Sequence, residues 1–199
     1  MPPKDGRAPA IAEAHPDATH YWRVRPLIEI GRGEEESGRL DEAERQFRLA
    51  LSLWQGPEGA FSRAVTEGDL GRILVAQGRH KEAVAPLRSA MSAYETDPTL
   101  RSGYTPLYLA RALAVTGDVA EARPYFERAL ADLKRHFPAD SSVVIEAMAE
   151  FGVFAMRQLG DLPFAIDRLR AAGDAALGNR DEVSESRKAL DTRTLWQSR

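Results

Sequence analysis

The sequence predicts an all-α protein, a right-handed solenoid of helix hairpins, and three observations predict it. One 14-residue phrase is written four times: "GRLDEAERQFRLAL" from Gly38, "GRHKEAVAPLRSAM" from Gly78, "GDVAEARPYFERAL" from Gly117 and "GDLPFAIDRLRAAG" from Gly160. Within each copy, small and large apolar residues recur at i, i+4 and i+7, which is one stripe on a helix. Between copies lie short stretches rich in Gly, Pro and Asp, which end helices rather than continue them.

The elements follow in order. Aligning the four glycines places Ala43, Ala83, Ala122 and Ala165 five positions on. A large apolar residue comes next (Phe47, Leu87, Phe126, Leu169), then alanine again (Ala50, Ala90, Ala129, Ala172). The spacing of the first alanines is 40, 39 and 43. Seven residues before each glycine stand Gly31, Gly71, Ala110 and Val153, and just before those Ile30, Leu70, Leu109 and Gly152. This predicts first helices at 24–37, 60–77, 101–116 and 142–159, the third starting near Thr105 because Pro106 suits a first helical turn. Second helices are expected at 40–55, 80–95, 119–136 and 162–176. Each turn glycine tolerates the positive φ that ends the first helix. The small residues let antiparallel helices approach to about 8–10 Å. A lone helix of this length is marginal in water, so the copies must stack to hide their apolar faces. Pro26 limits how early the first helix begins. Pro86 and Pro124 predict a slight bend in their helices rather than a break.

The pattern resembles the tetratricopeptide repeats, whose signature pairs Leu-Gly in the first helix with Ala-x-x-x-Phe in the second. "IGRGEEESGRLDEAERQFRLAL" and "LGRILVAQGRHKEAVAPLRSAM" carry it, and "LARALAVTGDVAEARPYFERAL" carries it with Ala110 for glycine. "GVFAMRQLGDLPFAIDRLRAA" departs furthest. The period exceeds the usual ~34 residues and is similar to the longer variant of kinesin light chains and many bacterial signalling proteins. The resemblance covers about residues 25–177. It implies that the first helices line a concave surface and that the residue after the Leu-Gly pair points into it.

On that implication the candidate groove residues are Arg32, Arg72 and Arg111, with Phe154 in the fourth repeat. Tyr104, Leu107, Tyr108 and Phe151 join them, making a groove basic at its centre and aromatic toward its C-terminal half. Arginine presents a planar fork of donors suited to carboxylate or phosphate. Internal pairing is the competing reading: Glu29 and Glu35 flank Arg32, and Asp69 precedes Arg72, all at the three-residue spacing at which charges on one helix meet. Both readings stand at this point.

Other chemistry is weaker. His15, Asp17 and His20 precede the scaffold, and a metal site needs ligands held by packing. His80 and His136 read as surface residues. Gly31, Gly33 and Gly38 lie within a helix and its turn, with no strand before and no Lys-Ser/Thr after, so they make no phosphate loop. Ser141-Ser142 reads as a helix start. No Ser, His and Asp set has triad spacing. No catalytic, cofactor or metal residue is therefore expected, and the protein is read as no enzyme. The chain has no cysteine, the usual state in a reducing cytoplasm. A net charge of -3 gives no basic field for nucleic acid or membrane. No stretch has the apolar run of a signal peptide or a membrane span. Arginine far outnumbers lysine, a bias consistent with a bacterial genome.

The domain expectation is a disordered segment at 1–20, a four-repeat solenoid at 21–177 and a C-terminal capping helix or tail at 178–199. In that tail Val183, Leu190 and Leu195 supply apolar contacts, and Trp196 either packs on the fourth repeat or anchors another molecule. The functional expectation is a cytoplasmic adaptor holding an acidic peptide or protein segment in the groove. The alternatives are a self-associating scaffold, or a regulatory subunit of a separately encoded signalling or secretion enzyme.

Overall fold

The computed structural model describes residues 16–54, 60–96 and 103–178, and nearly all of them are helical. The helices are α1 (Pro16–Glu36), α2 (Leu40–Leu53), α3 (Ala60–Ala76), α4 (His80–Thr96), α5 (Thr105–Thr116), α6 (Val119–His136) and α7 (Ser142–Phe154). A π-helical turn, Ala155–Leu159, follows α7, and α8 spans 162–178. The fold class is all-α, as the repeat pattern requires. The expected capping helix, Trp196 and the part of the expected disordered segment up to residue 15 lie outside the described residues.

The turns show why the phrase begins with glycine. Gly38 and Gly78 both have φ of 75°, a left-handed conformation in which a side chain would be strained. That geometry lets the Arg39 N–H donate to the Glu34 carbonyl and the Arg79 N–H to the Leu74 carbonyl, both at 2.8 Å. Carbonyls at the ends of α1 and α3 are thereby satisfied. One boundary differs from expectation. The first helix starts at Pro16 rather than near residue 24, so residues 16–20 are helical and Pro26 sits inside the helix. Pro86 and Pro124 also lie inside unbroken helices, α4 and α6.

The chain forms two compact units, one reaching Gly117 and one starting at Asp118. In the first, α1 packs on α2, α2 on α3, α3 on α4, and α5 on both α4 and α3. The phrase alanines Ala43, Ala50, Ala83 and Ala90 are fully buried, as are Phe47 and Leu87. The small residue of each first helix faces the large residue of its second helix. A Cβ at Gly31 would lie 2.9 Å from the Phe47 ring, and one at Gly71 only 2.4 Å from Leu87 Cγ. At such separations an added methyl group would force the facing side chain to shift, so glycine here lets the hairpins close without that strain.

The second unit repeats the rule with a different helix. Its core gathers Ala122, Phe126, Ala129, Leu130, Val144, Met148, Phe151 and Phe154. Phe126 stacks on Phe151 with centroids 5.2 Å apart and planes 7° apart, and Phe154 closes on Phe126 at 4.9 Å. Phe164 of α8 meets Phe151 edge-on at 4.9 Å. Here Gly152, not Val153, faces the large residue: a Cβ on it would lie 2.8 Å from Leu169 Cγ. The expected register for this repeat is therefore corrected by one residue. Gly152 and Gly160 are eight apart, where the equivalent residues in the earlier repeats are seven apart. The π turn at Ala155–Leu159 absorbs the extra residue, the usual effect of one inserted residue in a helix. The Asp161 carboxylate accepts from the Phe164 N–H at 3.1 Å and caps the start of α8.

Candidate functional site: the face of α1, α3 and α5

Three rows of side chains recur across the first helices of the first unit, at the repeat period. One row is Arg25, Val65 and Tyr104; the next is Glu29, Asp69 and Tyr108; the third is Arg32, Arg72 and Arg111. Successive rows are three or four residues apart, so they share one helix face.

The arginine row is bonded crosswise between repeats. Arg32 donates to Asp69 of the next first helix through Nε at 3.2 Å and Nη2 at 2.9 Å. Its Nη1 lies 3.7 Å from Glu29. Arg72 donates through Nη2 to the other oxygen of Asp69 at 3.0 Å, and through Nη1 back to Glu35 on α1. Asp69 thus lies between two guanidinium groups, and its side chain is only 14% exposed. Burial pushes its carboxyl above the usual aspartate range, while the Arg32 charge and hydrogen bonds pull it back. Burial also lowers the Arg72 pKa, against the influence of Tyr108 nearby. The internal pairing weighed from the sequence is present for Glu29 with Arg32 and for Asp69 with Arg72, and differs for Glu35. Glu35 reaches Arg72 rather than Arg32, because the carboxylate of one repeat lies level with the arginine of the next.

The remaining candidates divide. The Arg111 guanidinium lies over the Tyr108 ring, 5.0 Å from its centroid. Tyr104 is exposed. Leu107 is buried in the first unit, and Phe151 and Phe154 lie inside the second, at 2% and 5% exposure. These three were expected to line a groove and are core residues instead. For Phe154 the cause is the one-residue register change, since Val153 is the residue that follows the close-approach glycine. Phe151 occupies the position of Leu70 and Leu109, which are also buried.

The face contains a cavity of about 230 Å³, lined by Arg25, Ile28, Glu29, Arg32, Trp54, Ser62 and Val65. Its apolar floor and charged rim would suit one large side chain with a charged neighbour. Trp54, at the end of α2, was not anticipated. The only hint in the sequence was a tryptophan just before a Gly-Pro connector. A larger and shallower hollow of about 660 Å³ lies at the turns, lined by residues such as Arg39, Asp41, Gln77 and Arg79. The polar groups there already bond one another: Arg39 to Glu34, Gln77 to Asp41, and Arg79 to Glu44 and Glu82. The smaller cavity is therefore the better candidate. Among the described residues, no cluster of three or more potential metal ligands occurs, and no helix is long and apolar enough to cross a membrane.

Comparison with known proteins agrees with the all-α repeat fold. Two family models described as tetratricopeptide repeat match residues 10–96 and 107–142, together more than half of the chain. Among solved structures, the chain resembles a kinesin-light-chain-type protein of Podosopora anserina with nearly identical TPR-like repeats. Identity is 20%, the TM-score is 0.61, and 86% of this chain and 83% of that chain are covered. It also resembles BtubC (BKLC) from P. vanneervenii, with 17% identity, a TM-score of 0.65 and coverage of 77% of this chain and 63% of that one. A double mutant of MamA RS-1 aligns at 15% identity and a TM-score of 0.60, over 78% of this chain and 76% of that one. No curated protein gives a significant match.

Proposed function

The chain belongs to the tetratricopeptide-repeat family, and from that premise we propose a protein–protein interaction module that holds a peptide or protein segment across the face of α1, α3 and α5. The observation that carries this reading is the cavity beside a pre-oriented arginine row. An apolar side chain of the partner fills the space above Ile28, Val65 and Trp54, and a neighbouring carboxylate adds to the Nη1 edge of Arg32. The ladder to Asp69 and Glu35 holds the forks in place before the partner arrives, which reduces the ordering loss on binding. Toward Tyr104 and Tyr108 the same segment meets aromatic rings. A charged hydrogen bond in an enclosed site contributes ~1.5–3 kcal/mol, and an exposed ion pair ~0–1 kcal/mol. Arg32 and Arg72, with side chains 39% and 23% exposed, fall between these limits. We assign no catalytic role, cofactor, nucleic acid or membrane to the chain. Its lack of cysteine fits the cytoplasm.

The test is capture of partners from cells of its own source, identified by mass spectrometry, with wild type compared against a chain carrying Arg72→Ala and Arg111→Ala. The double variant should capture markedly less of the specific partner, and the remaining binding should depend less on salt. Thermal unfolding checks that both chains are folded. Equal capture by a folded double variant rules the face out as the site. A mass above 22.0 kDa for the pure protein at micromolar concentration would favour self-association instead.

A further inference from the structure

One joint recurs where a hairpin follows another, and both of its sides can be read. On a first helix the joint uses the residue just before the close-approach position and the residue two after it. In α3, α5 and α7 these are Leu70 and Ile73, Leu109 and Ala112, and Phe151 and Phe154, and all six are buried. The last pair shows what covers them: both rings pack on Phe126 of the preceding second helix, at 5.2 and 4.9 Å. On a second helix the matching positions lie two, six and thirteen residues after the turn glycine. The sixth reaches the next hairpin in both units: Glu44 accepts from Arg79, and the Arg123 guanidinium lies over the Phe164 ring. In α2, α4 and α6 every residue at these positions is buried or half-buried.

Both sides of the joint stand open, one on α1 and the other on α8. On α1, Ile30 is 49% exposed, no atom lies within 4 Å of where a Gly33 Cβ would be, and Pro26 one turn earlier is exposed. On α8, Leu162 and Ile166 are 55% and 53% exposed, and Gly173 is as open as Gly33. Their spacing of four and seven residues puts these three on one side of α8. We propose that α1 of one copy of this chain seats on α8 of another, remaking between molecules the joint that links hairpins within one. The observations select a second copy as the occupant. What fits α8 is a first helix of this repeat with its own stripe uncovered, and α1 is such a helix. Each stripe combines a branched aliphatic side chain with an open glycine, which gives Ile30 and Ile166 room to interlock. The α1 stripe is one residue off from Glu29 and Arg32, about 100° around the helix. The joint therefore leaves the arginine face open and does not rest on the function proposed for it. The two patches differ, so the contact is heterologous and each added copy offers a fresh end.

Analytical ultracentrifugation of the full chain from about 1 μM to about 1 mM, the span of moderate to weak affinities, tests it. The average mass should rise above 22.0 kDa with concentration. Ile30→Asp and Ile166→Asp each change an exposed residue, so both chains should fold, as circular dichroism checks. Each variant alone should keep the mass of one chain, because each has lost one side of the joint. An equimolar mixture of the two should give a species of twice 22.0 kDa. There the intact α8 of the Ile30→Asp chain meets the intact α1 of the Ile166→Asp chain. A wild-type mass of one chain at every concentration overturns the proposal, whether α8 is then covered within its own chain or by a different protein. A mixture that stays at the mass of one chain also overturns it. So does association that survives either single substitution, which would move the contact elsewhere, the arginine face included.

Discussion

The second and fourth repeats solve one packing problem in different ways. In α3, Gly71 faces Leu87 and the turn glycine Gly78 follows seven residues later in a regular α-helix. In α7, Gly152 faces Leu169 and the turn glycine follows eight residues later, across a π turn. The contact between a small and a large residue is kept, and the backbone absorbs the extra residue. This order of priorities is physical. A misplaced close contact strains a densely packed core, whereas a π turn alters the bonding of a single helical turn.

The sharpest way to break that comparison is to change the count. Deleting Ala76 from α3 leaves the equivalent glycines six apart instead of seven, with no bulge to remove. The first unit should lose more than about 4 kcal/mol, the range reached only by disruptive changes, as read by urea unfolding followed by circular dichroism. Deleting the exposed Met156 should instead convert the π turn to a regular α turn, with stability within about 1 kcal/mol of wild type. Equal damage from the two deletions would show that the π turn does not buffer the extra residue.

Aromatic content gives the next effect. Phe151→Ala should lower stability by about 3–5 kcal/mol, the range for emptying a packed aromatic site. Ile30 holds the same register position at the open start of the array, where it is 49% exposed, so Ile30→Ala should change stability by less than about 1 kcal/mol. Glycine at close approach comes third. Gly71→Ala should cost about 1–3 kcal/mol through overpacking against Leu87. Gly33→Ala, in α1 and facing open space, should be neutral or stabilising by up to about 1 kcal/mol. A shift in thermal midpoint of the same sign for both glycines would refute the packing explanation.

The smallest effect concerns the turn edge of the first unit. Burial of Glu44 works to raise its pKa, but hydrogen bonds from Arg48, Arg79 and Gln77 outweigh it, and the carboxyl titrates below the ordinary glutamate range. A depressed carboxyl pKa stabilises the fold above the unfolded-state value, about 4.3, and that contribution disappears as pH falls through the folded-state value. Glu44→Gln should therefore lose up to about 1 kcal/mol at neutral pH, with the gap from wild type closing below pH ~4. A gap that is constant with pH would remove the ion pairs from the account.

Part of the site was legible before folding. The arginine row was read from the position after the Leu-Gly pair that the resemblance marks, and the acids beside it from the three-residue spacing that brings charges on one helix together. Their true partners could not be read with the same certainty, because Arg32 meets Asp69 across 37 residues, and that contact depends on how one hairpin seats on the next. Trp54 is a cavity wall only because the end of α2 comes beside α1 and α3. Phe151 and Phe154 looked like groove aromatics under a seven-residue count. The eight-residue spacing was there to be counted, but nothing local in the sequence says whether a loop, a turn or a π bulge will take up the extra residue.

From the sequence alone followed the helices, their order, the four turn glycines and the alanine seams, because each depends on periods of a few residues and on backbone preferences that act locally. Tertiary structure alone decided which face of each helix is covered, which carboxylate holds which guanidinium, and where the fourth repeat's register lies. Those outcomes depend on ångström-scale fits between segments about 40 residues apart in sequence, and close packing rather than helical propensity selects among them.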